Sequence, residues 1–154
     1  MRTHAALLGL VVAALLTGCT KSYNDSDIVW LPPSEAVAKL NSPGGIFQRT
    51  TRGVFIDPRS PAAYAEGHIP DAVNLPLPDM EENAPGVLAG YDLFVVYDSD
   101  FTDVMARAGS KRLMELGYSP VYTVAGGLRT WKKDGYQVAT GTSPGLSAPP
   151  APKP

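Results

Sequence analysis

The stretch that most constrains the fold runs from Asp92 to Leu116, DLFVVYDSDFTDVMARAGSKRLMEL. Leu93, Phe94, Val95, Val96 and Tyr97 form a short run of apolar, β-branched and aromatic residues, the composition of a buried strand. The run stops at Asp98, and the six residues Asp98, Ser99, Asp100, Phe101, Thr102 and Asp103 carry three carboxylates. A helical period then begins, with Val104, Leu113 and Leu116 on its apolar face. Strand, tight loop and helix in this order is how an α/β domain presents a site at the carboxyl ends of its strands. The loop is therefore the first candidate site. It holds no cysteine and no histidine, which bars thiol or imidazole chemistry within it.

Other segments supply the rest of such a domain. Gly53-Val54-Phe55-Ile56 reads as a second buried strand, and it too ends in an aspartate, Asp57. Ala72–Asn74 and Pro120–Val124 give two more, and Ile28-Val29-Trp30 docks at the edge of the domain. Between them the sequence predicts a short helix that starts in Pro32-Pro33-Ser34-Glu35 and ends at Asn41, and further helices over Pro61–Glu66, over Asp79–Asn83 and over Leu128–Lys133, those at Pro61 and Leu128 closed by Gly67 and Gly135. Short strands alternating with helices predict an α/β domain with a mostly parallel sheet. VFI and LFVVY are apolar throughout, as expected where helices cover both faces of the sheet in a three-layer arrangement.

The amino terminus is of another kind. Arg2 precedes an apolar run, Ala5–Leu16, broken only by Gly9 and shorter than the roughly 20 residues a spanning helix needs. It ends in Leu16-Thr17-Gly18-Cys19, which resembles a bacterial lipoprotein signal: residues 1–18 would be removed and Cys19 lipidated as the new N-terminus. Cys19 is the chain's single cysteine, so lipidation would leave no thiol for catalysis or a disulfide. Without Arg2 the chain carries 12 Lys and Arg against 15 Asp and Glu and no basic run, which excludes nucleic acid as an expected partner. Residues 19–29 read as a tether, 30–140 as one domain, and 141–154 as a proline-rich disordered tail.

The order of motifs resembles the rhodanese-like domain family. The resemblance is carried by Ile56-Asp57-Pro58-Arg59-Ser60-Pro61, by Glu66-Gly67-His68-Ile69-Pro70-Asp71-Ala72-Val73-Asn74-Leu75-Pro76, and by Val124-Ala125-Gly126-Gly127-Leu128-Arg129-Thr130-Trp131. It implies a rhodanese-like α/β fold. Sulfur-transferring members carry a cysteine directly after the central strand, in a loop whose backbone N–H groups cradle the thiolate before a helix begins. Here Asp98 takes the cysteine's place, Phe101 stands where a glycine is expected, and Asp103 stands where an arginine is expected. A carboxylate cannot carry a persulfide, and three acids would repel an anionic substrate. The resemblance therefore implies an inactive homologue with a degenerate site. Asp57 and Arg59 are expected to bond within the loops around it, and His68 to serve the scaffold.

Two other readings of the acidic loop remain open at this stage. Asp98-Ser99-Asp100-Phe101-Thr102 after a hydrophobic strand is similar to the DxDxT motif that opens haloacid-dehalogenase-like phosphohydrolases, where the aspartates work with magnesium. That family also needs a later lysine and a further acidic motif, and only Asp134 follows Lys132 and Lys133. More simply, Asp98, Asp100 and Asp103 could hold Ca²⁺ or Mg²⁺ without catalysis. In the bland reading Asp98 accepts backbone N–H bonds and caps the helix near Val104, with no cofactor. The leading expectation is a lipid-anchored, non-catalytic binding or scaffolding domain of the cell envelope, with an unknown protein partner. Thr20 after the cysteine favours the outer membrane, facing the periplasm, over the inner one. A third expectation is a structural envelope component whose proline tail contacts cell wall or protein. A groove lined by Phe101 and Trp131 would favour binding.

Overall fold

The computed structural model describes residues 21–41, 51–102 and 104–142. Cys19, Asp103 and nearly all of the proline-rich tail lie outside the described residues, as does the stretch between the first helix and the second strand. The strands are β1 (Val29–Leu31), β2 (Gly53–Asp57), β3 (Val73–Asn74), β4 (Leu93–Val96) and β5 (Val121–Val124). They form one parallel sheet in the order β1-β5-β4-β2-β3. The helices are α1 (Pro33–Leu40), α2 (Pro61–Glu66), α3 (Met80–Val87), α4 (Val104–Glu115) and α5 (Gly127–Lys133). The expected α/β class and mostly parallel sheet are thus observed, and every strand pair is parallel.

Two apolar layers flank the sheet. On one face Phe55, Val95, Tyr97 and Val124 pack with Ala36 of α1, Tyr64 of α2, and Leu128 and Trp131 of α5. On the other Val54, Ile56, Phe94 and Val96 pack with Met80 and Ala84 of α3, and Ala106 and Leu113 of α4. Successive residues of β2 and β4 alternate between the two layers, which is why both strands read as continuous apolar runs. Among the described residues no helix is long and apolar enough to cross a membrane.

The structure differs from the sequence reading in three places. Ile28–Trp30 does more than dock at the edge: Val29–Leu31 is itself the edge strand, in register with Tyr122–Val124. The helix expected over Asp79–Asn83 runs from Met80 to Val87 and passes through Pro85. The carbonyl of Glu81, which Pro85 leaves without its N–H partner, belongs to an exposed residue where water can serve it. The buried face of α4 is Ala106, Gly109, Ser110 and Leu113, while Val104 is 64% exposed. Small residues let α4 approach closely. A Cβ on Gly109 would stand 3.1 Å from Pro58, and the Ser110 and Thr123 hydroxyls are 2.7 Å apart. That tight approach rolls Val104 out of the core.

Candidate functional site

Parallel pairing of Ile56 with Val96 brings Asp57 and Asp98 to neighbouring strand ends at one edge of the sheet. The Tyr97 N–H donates to the Ile56 carbonyl (3.1 Å), so the order of the sheet continues one residue past β4. The chain then turns sharply under α5. The Leu128 N–H donates to the Asp98 carbonyl (2.8 Å) and the Arg129 N–H to the Ser99 carbonyl (3.0 Å). Amides at the start of α5, which lack partners within the helix, are thereby satisfied by the loop. Gly126 and Gly127, at φ of 71° and 50°, make the turn that lets them reach.

Asp98 is 6% exposed, and both of its carboxylate oxygens are occupied. Oδ1 accepts from the Ser99 N–H at 2.6 Å, and Oδ2 from the Met105 N–H at 2.8 Å. Met105 is the second residue of α4, so Asp98 fills the role of a helix cap from across the loop. Negative charge at that end also suits the helix dipole. The Ser99 and Met105 N–H groups are therefore bonded to the carboxylate that precedes them in the chain.

The outer loop is built differently. Oδ1 of Asp100 accepts from the Thr102 N–H (2.9 Å) and hydroxyl (2.7 Å), a local turn closed by a side chain. Those two bonds, aided by the charge of Arg129, hold the Asp100 carboxyl below its usual range. Phe101 is 62% exposed; it lies against Gly126, and the Arg129 guanidinium stands 5.9 Å from its ring centre. Trp131 is only 4% exposed, with its ring edge-on to Phe55 and stacked on Tyr136. Trp131 thus belongs to the core and lines no groove with Phe101.

Beneath the loop lies a buried ion pair. Arg59 donates through Nε to Asp57 Oδ1 (2.9 Å) and through Nη2 to Oδ2 (2.5 Å) and to the Gly67 carbonyl (2.8 Å). Its remaining arm, Nη1, reaches the Ser99 hydroxyl at 3.2 Å and so supports the loop from below. Burial works against the guanidinium charge, but the bonds and charge of Asp57, helped by Asp98, outweigh it and raise the arginine's pKa. Burial and the neighbouring Asp57 carboxylate likewise push the Tyr97 hydroxyl far up, so it stays protonated. His68 is buried, stacked on the Tyr64 ring at 3.7 Å, with Nδ1 2.9 Å from the Tyr64 carbonyl.

Of the residues singled out in the sequence, Asp57, Arg59, Ser99 and Asp98 are linked by hydrogen bonds, while Asp100 is half-buried and Phe101 and Thr102 are exposed. Asp103 lies outside the described residues, so the proposed triad of Asp98, Asp100 and Asp103 has two describable members. Among the described residues no three His, Cys, Asp or Glu side chains are grouped to hold a metal. Sequence reasoning missed Tyr97 and Asn74. The Tyr97 hydroxyl accepts from the Ile69 N–H (3.2 Å), and Asn74 Nδ2 donates to the Asp57 and Arg59 carbonyls. Each was a lone polar group at the end of a strand, and that position was the available signal.

A family model described as Rhodanese-like domain matches residues 35–134. An uncharacterized protein of Buchnera aphidicola is 28% identical over 83 residues, 54% of this chain and 58% of that protein. The chain thus spans little more than half of that relative. A thiosulfate sulfurtransferase of Pseudomonas aeruginosa superposes with a TM-score of 0.60 at 26% identity, over 74% of this chain and 20% of that one. A rhodanese-like domain from Anabaena superposes with a TM-score of 0.50 at 26% identity, over 56% and 64% of the two chains.

Proposed function

The chain belongs to the rhodanese-like domain family, and on that premise we propose that it is a non-catalytic member: a lipoprotein that binds or scaffolds at the cell envelope. The single observation that carries this reading is the state of Asp98. It stands where sulfur-transferring relatives have their reacting atom, and both its oxygens are spent on the backbone. A carboxylate so held is neither a sulfur carrier nor a free nucleophile. It also fills with fixed negative charge the space where an anionic substrate would be cradled. The envelope assignment is supported by the Ala5–Cys19 stretch, with the lipid on Cys19 holding the domain to the outer membrane on its periplasmic side. The metal-dependent alternative would require a cation to share both Asp98 oxygens with the backbone N–H groups that already bind them.

The test is sulfur transfer from thiosulfate to cyanide, which takes the outer sulfur as thiocyanate and regenerates the thiolate, measured for the wild-type protein and for Asp98→Cys. The wild type turns over no faster than buffer. Asp98→Cys places a thiol among the Ser99 and Met105 N–H donors, where the start of a helix favours the thiolate. Its sulfur can attack the sulfane sulfur of thiosulfate, forming a persulfide and expelling sulfite, at a rate held down by Asp100 and Phe101. Turnover by the wild type would overturn the non-catalytic reading. Acyl mass on Cys19, or its absence, decides the anchor separately.

A further inference from the structure

We propose that the exposed apolar corner formed by Phe101 and Val104 is a membrane-docking surface that rests on a neutral, zwitterionic bilayer. The inference builds on the lipid-anchor reading of Cys19. Its first support is where the tether meets the domain. Asp25 is clamped to α4, with its carboxylate 2.7 Å from Lys111 Nζ and 3.3 Å from Arg107 Nη1. The Arg107 guanidinium also stacks 5.0 Å over the ring of Trp30, the middle residue of β1, fixing that strand on the same helix. Only six residue steps separate Cys19 from Asp25, a reach of at most about 20 Å. A domain of this size is about 35 Å across. The tether is thus shorter than the domain it carries, and α4 is the element held against the anchor.

Its second support is what α4 exposes there. Val104 lies one turn before Arg107, about 5 Å along the helix axis. Phe101 precedes it in the loop, and the two are 62% and 64% exposed. Large apolar side chains three positions apart in the chain, both bare and carried at the start of the helix that clamps the tether, have a bilayer interface as their nearest apolar partner. Two side chains are too few to hold a free domain on lipid, but a short tether raises the local concentration enough for weak insertion to persist. Charge selects the kind of surface. Arg107, Lys111 and Arg129 stand against three carboxylates, Asp25, Asp98 at the start of α4 and Asp100, so the corner offers little net attraction to anionic lipid.

The experiment couples the chain from residue 19 onward, through its single cysteine, to a maleimide-headgroup lipid in phosphatidylcholine vesicles. Amide hydrogen exchange is compared with the same chain coupled to soluble maleimide–polyethylene glycol. Docking slows exchange over residues 99–108 several-fold on vesicles and leaves residues 61–67 unchanged. The variant Val104→Asp abolishes that protection, and an acid at the first position of a helix does not harm the helix itself. Equal exchange in the two coupled forms overturns the inference. So does protection in the polyethylene glycol form that grows with concentration, which would assign the corner to a second copy of the chain. Because coupling is chemical, this result is independent of whether cells lipidate Cys19. An unmodified Cys19 in cell membranes would sink the anchor reading by itself.

Discussion

Gly127 lies so close to Asp98 that a Cβ built on it would stand 2.0 Å from the Asp98 carbonyl oxygen. The two residues come from different loops, and their backbones are in contact at the base of the candidate site. That contact lets the Leu128 and Arg129 amides bond to the loop, so the end of β4 and the start of α5 form one rigid corner. Gly127→Ala must push these segments apart and also places an L-residue at φ 50°. It should cost about 3 kcal/mol in urea unfolding. A loss below about 1 kcal/mol would show that the corner yields easily.

Removing the Asp98 carboxylate should unfasten the start of α4. Asp98→Ala leaves the Ser99 and Met105 N–H groups without their acceptors, at a cost of about 2 kcal/mol. Asp98→Asn keeps one acceptor and should cost about half as much. Amide exchange at Met105 is the local readout: it quickens in both variants, and more in the alanine one. Unchanged exchange there would mean that water replaces the carboxylate without loss.

Much of this arrangement was legible in the sequence for a simple reason. LFVVY and VFI are buried on both faces, and such runs declare a central strand whatever surrounds them. Asp57 and Arg59 were readable as a local pair because their spacing puts both at one strand end. The edge strand Val29–Leu31 was harder to read, since three residues carry no period and their pairing with β5 is wholly non-local. The exposure of Val104 was hidden too. Period alone assigns it to the apolar face, and only the tight approach of Gly109 and Ser110 to Pro58 and Thr123 sets the helix's rotation. Trp131 shows the converse: an aromatic after a glycine pair reads as packing, and Phe55 and Tyr136 hold it in the core.

The buried pair beneath the loop should behave as a coupled unit. Arg59→Met strands the Asp57 carboxylate at 0% exposure and should destabilise by about 3–5 kcal/mol. Asp57→Asn strands the guanidinium in turn. In the double variant neither charge is left uncompensated, so its loss should fall well short of the sum of the two single losses. Simple additivity in the cycle would mean that the two side chains do not depend on each other. Arg59→Met should also loosen Ser99, because the bond from Nη1 to its hydroxyl goes with it.

Calcium and magnesium should leave the domain unaffected. Calcium takes six to eight oxygens, and an acidic loop must turn free carboxylates inward to supply them. Both Asp98 oxygens already accept backbone bonds, and Asp100 Oδ1 is engaged by Thr102. Isothermal titration with either cation should give only heat of dilution, and the unfolding midpoint should not move. Saturable heat that Asp98→Asn abolishes would restore the metal reading and put phosphoester hydrolysis next in line.

The clamp between the tether and α4 should have a pH dependence of definite sign. The bond to Lys111, with lesser help from Arg107, lowers the Asp25 carboxyl below the usual carboxylate range. A carboxylate depressed in the folded state contributes stability that is fully present above its unfolded pKa and is lost as pH falls through the folded one. Asp25→Asn should therefore lower the urea midpoint slightly at pH 7, and the gap from wild type should close as pH falls from about 5 toward 2. Both groups are exposed at this surface, so added salt should narrow the gap at pH 7 as well. A gap that is constant across pH would assign the effect of the variant to packing rather than charge. It would also leave α4 without the electrostatic hold on the tether that sets which face the anchor presents.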